Sequence, residues 1–126
     1  MSQQAYSVTM FDGASGGTYD GTVAAGTTIT SRAIDVNSIR PLGNFASQLI
    51  VTGDGTVDVK LLLSINGTDF YIYDTLFSGK TSSTAPAASG GIIENHAFAV
   101  CTKFKVSVTE TTGLNEAVVE HYIGVQ

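Results

Sequence analysis

Val57-Asp58-Val59-Lys60-Leu61-Leu62-Leu63-Ser64-Ile65 carries an apolar side chain at every second position: Val57, Val59, Leu61, Leu63 and Ile65. Successive side chains of an extended chain point to opposite faces, so a period of two is the signature of a strand. The intervening Asp58, Lys60 and Ser64 are polar. One face is therefore apolar and the other mostly wet, as in an antiparallel sheet packed on one side. The stretch is followed at once by Asn66-Gly67-Thr68-Asp69. Asn-Gly is the strongest short hairpin signal, because both residues tolerate positive φ.

Working outward, Val100, Thr102, Phe104, Val106 and Val108 alternate with Cys101, Lys103, Lys105, Ser107 and Thr109, which predicts a second strand of the same kind. Further strands are predicted at Tyr6–Phe11, Thr28–Val36, Ser47–Thr52, Asp69–Thr75, Gly91–Glu94 and Glu116–Val125, all rich in β-branched and aromatic residues. Gly53-Asp54-Gly55 and Thr111-Thr112-Gly113 are read as two more antiparallel hairpins. No segment has a helical 3.6-residue pattern. Seven to nine short strands in 126 residues predict a single all-β domain over residues 1–126, an antiparallel β-sandwich of jelly-roll type.

Two predicted loops exceed ordinary connections, residues 12–26 and 78–91. They are built from Gly, Ser, Thr and Ala. Tyr19 is the one bulky apolar side chain in the first, and Lys80 and Pro86 lie in the second. Mobile surface loops and contact arms between subunits are both compatible with that composition.

Charged residues make up 13% of the chain, about half the usual share, and the net charge is −5. The six basic residues are scattered apart from Lys103 and Lys105, so no basic stripe exists to neutralise a nucleic acid or an anionic membrane. Met1 to Tyr6 carries neither a basic stretch nor an apolar core, so cytoplasmic synthesis is expected. Cys101 is the only cysteine, which excludes a disulfide scaffold within the chain.

Chemistry is sparse. His96 and His121 are read as ordinary strand or surface histidines. A hydrolase using His121 lacks a Gly-x-Ser-x-Gly nucleophile motif. Ser78-Gly79-Lys80-Thr81 ends like a phosphate loop but has neither the earlier glycine nor a following helix. Asp12, Asp20, Asp54, Asp58 and Asp69 suit calcium by type but share no ligand spacing, and aspartate is the usual turn residue. No catalytic residue, cofactor or metal is expected. Tyr71 and Tyr73 are read as sharing one strand face, opposite Phe70 and Ile72. As exposed aromatics they suit a protein interface or, alternatively, a sugar-stacking platform for glycan or host attachment. Tyr19, Tyr71, Tyr73, Lys80 and Pro86 are the candidate contact residues.

The stretches Ala33–Val36, Phe45–Gly53, Thr56–Leu61 and Ser64–Phe70, with Lys103–Thr109, Gly113 and Tyr122 later, resemble small β-sandwich virion structural proteins of tailed bacteriophages and prophages. The match runs over residues 28–125 and consists of strands and turns; Asp69-Phe70 stands where the family pattern has Asn-Trp. The resemblance implies a non-enzymatic, capsid-associated decoration or cement protein in the virion. Its partners would be further copies of itself and another virion protein such as a major capsid protein.

Overall fold

The computed structural model describes residues 6–39, 44–97 and 99–125, so Met1 to Ala5 of the N-terminal reading lie outside it. The described residues form ten strands: β1 (Tyr6–Asp12), β2 (Thr22–Val23), β3 (Thr28–Thr30), β4 (Ile34–Asp35), β5 (Asn44–Gly53), β6 (Val57–Ser64), β7 (Tyr71–Lys80), β8 (Ile92–Ala97), β9 (Lys103–Glu110) and β10 (Ala117–Val125). A four-residue helix, α1 (Val36–Ile39), and a 3-10 turn at Ala87–Ser89 complete the described elements.

The strands make two antiparallel sheets packed face to face. One runs β1-β10-β5-β8, with β2 also on β10; the other runs β3-β9-β6-β7, with β4 also on β9. Set aside the two-residue β2 and β4. The remaining eight then pair as β1 with β10, β3 with β9, β5 with β8, and β6 with β7. This is one long two-stranded ribbon, closed at the β6–β7 turn and rolled into a sandwich, the jelly-roll arrangement.

The alternation that predicts β6 holds as far as Leu63; beyond it Ser64 is buried and Ile65 is exposed, because the chain leaves the strand for the turn. Val57, Val59, Leu61 and Leu63 are buried beside Phe104, Val106 and Val108 of β9, and together they face Phe45, Leu49 and Val51 of β5 and Val119, Ile123 and Val125 of β10 in one core. The second predicted strand begins later than expected, at Lys103. Its phase does not extend backward through the bend at Val100. Val100 is almost fully exposed, and Cys101 packs against the core instead. Burial raises the Cys101 thiol pKa, which leaves it a poor nucleophile.

Of the three predicted hairpins, only Asn66–Asp69 is one. Gly67 takes φ +81°, and Asn66 Oδ1 accepts the Thr68 and Asp69 N–H groups at 2.9 Å each. Gly53–Gly55 and Thr111–Gly113 carry the chain from one sheet to the other, because β5 and β10 lie in one sheet and β6 and β9 in its partner. The two arches lie against each other: Gly55 N–H donates to the Glu116 carbonyl (3.0 Å) and Thr111 N–H to the Thr56 carbonyl (2.9 Å). A Cβ on Gly55 would sit 2.8 Å from that of Ala117, so this glycine is required by close approach rather than by φ.

Both long connections fold onto the sandwich within one chain. In the first, Gly13 N–H donates to the Val119 carbonyl (3.0 Å) and Val119 N–H to that of Gly21 (3.0 Å), and β2 follows on the edge of β10. The second starts after Lys80, because β7 runs on to that residue. Val51 N–H donates to the Ala85 carbonyl (2.9 Å), Ala85 is buried, and a Cβ on Gly91 would collide with the Leu49 carbonyl. The segment thus prolongs the β8 side of β5.

Candidate functional site

The five candidate contact residues do not form one surface. Among the described residues β7 is an edge strand that pairs with β6 alone, and β3 and β4 lie at the opposite edge of the same sheet. Tyr71 and Tyr73 stand on β7, whereas Tyr19 lies by the other edge, stacked under Arg32 of the β3–β4 connection. Lys80 ends β7, and Pro86 forms an isolated parallel bridge with Val51 of the other sheet.

Along β7 the expected alternation fails. Tyr71 pairs with Leu63 and Ile72 with Leu62, but the next pair is Leu61 with Asp74, so Tyr73 is the extra residue of a bulge. Another irregularity precedes Phe77, which lets consecutive Leu76 and Phe77 both reach the core. As a result Tyr71, Ile72 and Tyr73 are all exposed, at 51%, 60% and 42%. Ile65, at the foot of the same hairpin, is exposed too. Phe70 is instead half-covered, with the Lys105 ammonium 4.3 Å from its ring centroid. The outcome is an apolar strip along a strand edge whose outer backbone groups have no neighbouring strand.

The opposite side of the sandwich is differently finished. Between the β1 edge and the β3–β4 connection lies an open cleft of about 370 Å³, lined by residues that include Ser7, Thr9, Asp12, Tyr19, Arg32 and Ile34. Arg32 Nη1 donates to the Thr9 carbonyl (2.6 Å), and its Cζ lies 4.3 Å from the Tyr19 ring centroid. Asp12 N–H donates to the Tyr19 carbonyl (2.6 Å), which ties the glycine-rich turn to the strand end. Arg32 was not singled out by sequence reading; a lone arginine gives no periodic signal.

Among the described residues two titratable side chains are buried: Glu110, which belongs to no motif, and His121. Glu110, at the inner end of β9, is 1% exposed. Its Oε2 accepts from Thr56 N–H (2.9 Å), Thr112 N–H (3.2 Å) and Thr112 Oγ1 (2.8 Å), and its Oε1 from Gly26 N–H (3.0 Å) and Gly113 N–H (2.8 Å). One carboxylate thereby joins three connections that cross between the sheets. The Thr56 N–H above all, then the Thr112 hydroxyl and the Gly26 and Gly113 N–H groups, hold its pKa down at about 2 against the opposing effect of desolvation.

His121 is not a surface histidine. It is fully buried on the inner face of β10, with Nε2 2.6 Å from the Ser47 hydroxyl and Nδ1 without a hydrogen-bond partner among the described residues. Burial, with a lesser contribution from His96, lowers its pKa to about 3, so the ring is neutral at pH 7. His96 is half-buried. It stacks on Phe45 (centroids 5.3 Å) and meets the edge of Phe77, which also contacts His121. A serine and a histidine at hydrogen-bond distance resemble a nucleophile and base. Here both are sealed in the core, where no substrate reaches them.

Among the described residues, no group of three or more His, Cys, Asp or Glu could hold a metal ion. The aspartates serve turns and edges: Asp20 Oδ1 accepts Thr22 N–H (2.8 Å), Asp58 Oδ1 accepts Gly79 N–H (2.8 Å), and Asp69 Oδ2 accepts from Asn66 Nδ2 (2.9 Å).

No family model and no curated protein matches this chain in sequence. Solved structures do match in fold. The SPBc2 prophage-derived protein YomS superposes with a TM-score of 0.52 at 11% identity, over 96% of this chain and 93% of that one. VP2 of infectious bursal disease virus, as a subviral particle, superposes with a TM-score of 0.51 at 16% identity, over 98% of this chain and 32% of VP2. VP2 of the Gx strain of that virus gives 0.52 at 14%, over 97% of this chain and 31% of VP2. The likeness lies in the fold, since identities this low carry no site residues across.

Proposed function

We propose that this chain is a non-enzymatic structural protein of a bacteriophage or prophage virion, a decoration or cement protein attached to the capsid that works through protein–protein contacts as a homo-oligomer. The observation that carries this reading is the β7 edge. Tyr71, Ile72 and Tyr73 are exposed side by side on a strand with a free hydrogen-bonding side, and such an edge recruits other chains unless it is blocked. Tyrosine is enriched at interfaces, where its ring buries area and its hydroxyl keeps a polar partner. Support also comes from the fold shared with a prophage-derived protein along nearly the whole chain, and with a viral VP2. The low share of charge, 13%, lowers the desolvation cost of packing copies together.

The test has two parts. Sedimentation equilibrium of the purified chain should give a mass above the monomer that falls in a Tyr71→Ser/Tyr73→Ser variant. Co-sedimentation with capsid shells of the virus that encodes it should retain the wild-type chain. A strictly monomeric protein that does not bind shells would refute the proposal. The same variant on a glycan array addresses the alternative use of these tyrosines: a glycan signal lost on substitution would favour attachment to sugars over assembly.

A further inference from the structure

The cleft between the two sheet edges has a feature that the assembly reading does not use. Arg32 is half-buried, and its guanidinium is fixed by two contacts, the Thr9 carbonyl and the Tyr19 ring. Among the described residues no carboxylate pairs with it. A guanidinium presents five N–H donors in a planar fork suited to a carboxylate, and one of them is used by Thr9. A fixed, partly desolvated cation beside an open cleft of about 370 Å³ is thus prepared for an anionic group.

The remaining walls narrow the ligand. Ser7 and Thr9, both hydroxyl-bearing, Ile34, which is apolar, and Asp12, whose carboxylate also acts on the Tyr122 hydroxyl, belong to its lining. Asp12 disfavours a bare anion by repulsion, but it accepts hydrogen bonds from hydroxyl groups. A ligand that satisfies both ends carries one carboxylate and several hydroxyls. The geometry points to a binding site for a carboxylate-bearing sugar, a uronic or sialic acid, with its carboxylate on Arg32 and its hydroxyls toward Asp12. This site lies across the molecule from Tyr71 and Tyr73 and is independent of the β7 edge.

The experiment is an amide NMR titration of the full chain with three probes: D-glucuronate, D-glucose, which lacks the carboxylate, and acetate, which lacks the hydroxyls. Glucuronate should shift Thr9, Tyr19 and the Arg32 Nε–H saturably, with a dissociation constant on the order of 1 mM. Glucose and acetate should bind at least about tenfold more weakly, the step that corresponds to losing one charge-assisted contact. Arg32→Gln should abolish the shifts, and Arg32→Lys should weaken them, since a point charge cannot replace the fork. Asp12→Ala, which leaves Arg32 in place, should erase the preference for glucuronate over acetate. No saturable shift with glucuronate overturns the inference. So do equal responses to acetate and glucuronate, which mark a plain anion site, and undiminished binding in Arg32→Gln. The three-probe comparison on the unmodified chain decides the matter even if a variant fails to fold.

Discussion

Glu110 and His121 are both polar, both titratable and both buried in the same sandwich, yet they are satisfied to opposite degrees. Glu110 accepts from five donors contributed by the Gly26, Thr56 and Thr112–Gly113 segments. His121 has, among the described residues, one hydrogen-bond partner, Ser47, and an orphaned Nδ1. The difference follows from place. Glu110 stands at the end of β9, where arches bring loose N–H groups that need an acceptor. His121 stands in mid-strand, where the backbone groups of its neighbours are already spent on the sheet ladder. A buried polar group at the rim can organise the chain; one in mid-sheet mainly costs desolvation.

The largest expected effect is therefore at Glu110. Glu110→Ala removes the acceptor common to three crossings and orphans several N–H groups at once, and the melting temperature should fall by more than about 10 °C. Glu110→Gln should also be strongly destabilising, because its amide NH₂ points a donor at donors. A melting temperature within about 2 °C of wild type in both variants would remove the organising role assigned to the carboxylate.

The second test separates the two groups by pH. The folded-state pKa of His121 is depressed from 6.5 to about 3, so its neutral burial stabilises the fold fully above pH 6.5. That contribution is lost as the pH falls from 6.5 toward 3, since only the unfolded chain takes up the proton. Glu110 is depressed from 4.5 to about 2, so its contribution is full above pH 4.5 and is lost between there and pH 2. Between pH 6.5 and 4.5, then, only the histidine of this pair acts. Denaturant melts should lose on the order of 2 kcal/mol from pH 7 to pH 5 through His121. The loss should vanish in a Ser47→Ala/His121→Leu variant, while acid sensitivity below pH 4.5 persists. Equal loss in both proteins would mean that other groups govern this window.

The same variants sharpen the comparison at pH 7. His121→Leu alone leaves the Ser47 hydroxyl buried without a partner and should cost about 1–2 kcal/mol. The double variant removes both polar groups, and should fall within about 1 kcal/mol of wild type or above it. A double variant more than about 2 kcal/mol below wild type would show that the bond contributes more than its desolvation costs.

Both residues were marked in the sequence by the alternation that reveals the strands. Phe104, Val106, Val108 and then Glu110 follow one face of β9, and Val119, His121, Ile123 and Val125 follow one face of β10. The period places His121 inside between Val119 and Ile123, and one further step of it places Glu110 inside. Other features left no such trace. A glycine turn that closes a hairpin and one that crosses between sheets use the same residues, so Asn66-Gly67 and Gly53-Asp54-Gly55 look alike until pairing is known. The bulges of β7 are register shifts against β6, and register is a property of two strands together. The exposure of Tyr71 and Tyr73 is legible in the sequence, but the single face expected for them, opposite Ile72, is undone by the bulge at Tyr73. The Arg32 cleft joins β1 to residues more than twenty positions away, which no local pattern encodes.

The smallest expected effect is at Asp20, and it isolates what burial adds. Its carboxylate makes the same bond as Glu110, accepting the Thr22 N–H at 2.8 Å, and that bond likewise lowers its pKa. It serves a single local turn, however, where water can take over either partner. Asp20→Ala should move the melting temperature by no more than about 2 °C, because the freed N–H is solvated as soon as it is released. If Asp20→Ala proved as damaging as Glu110→Ala, the bond itself would be what matters, and the contrast between rim and surface would fail. If it proves neutral, Glu110 owes its importance to gathering donors that water cannot reach.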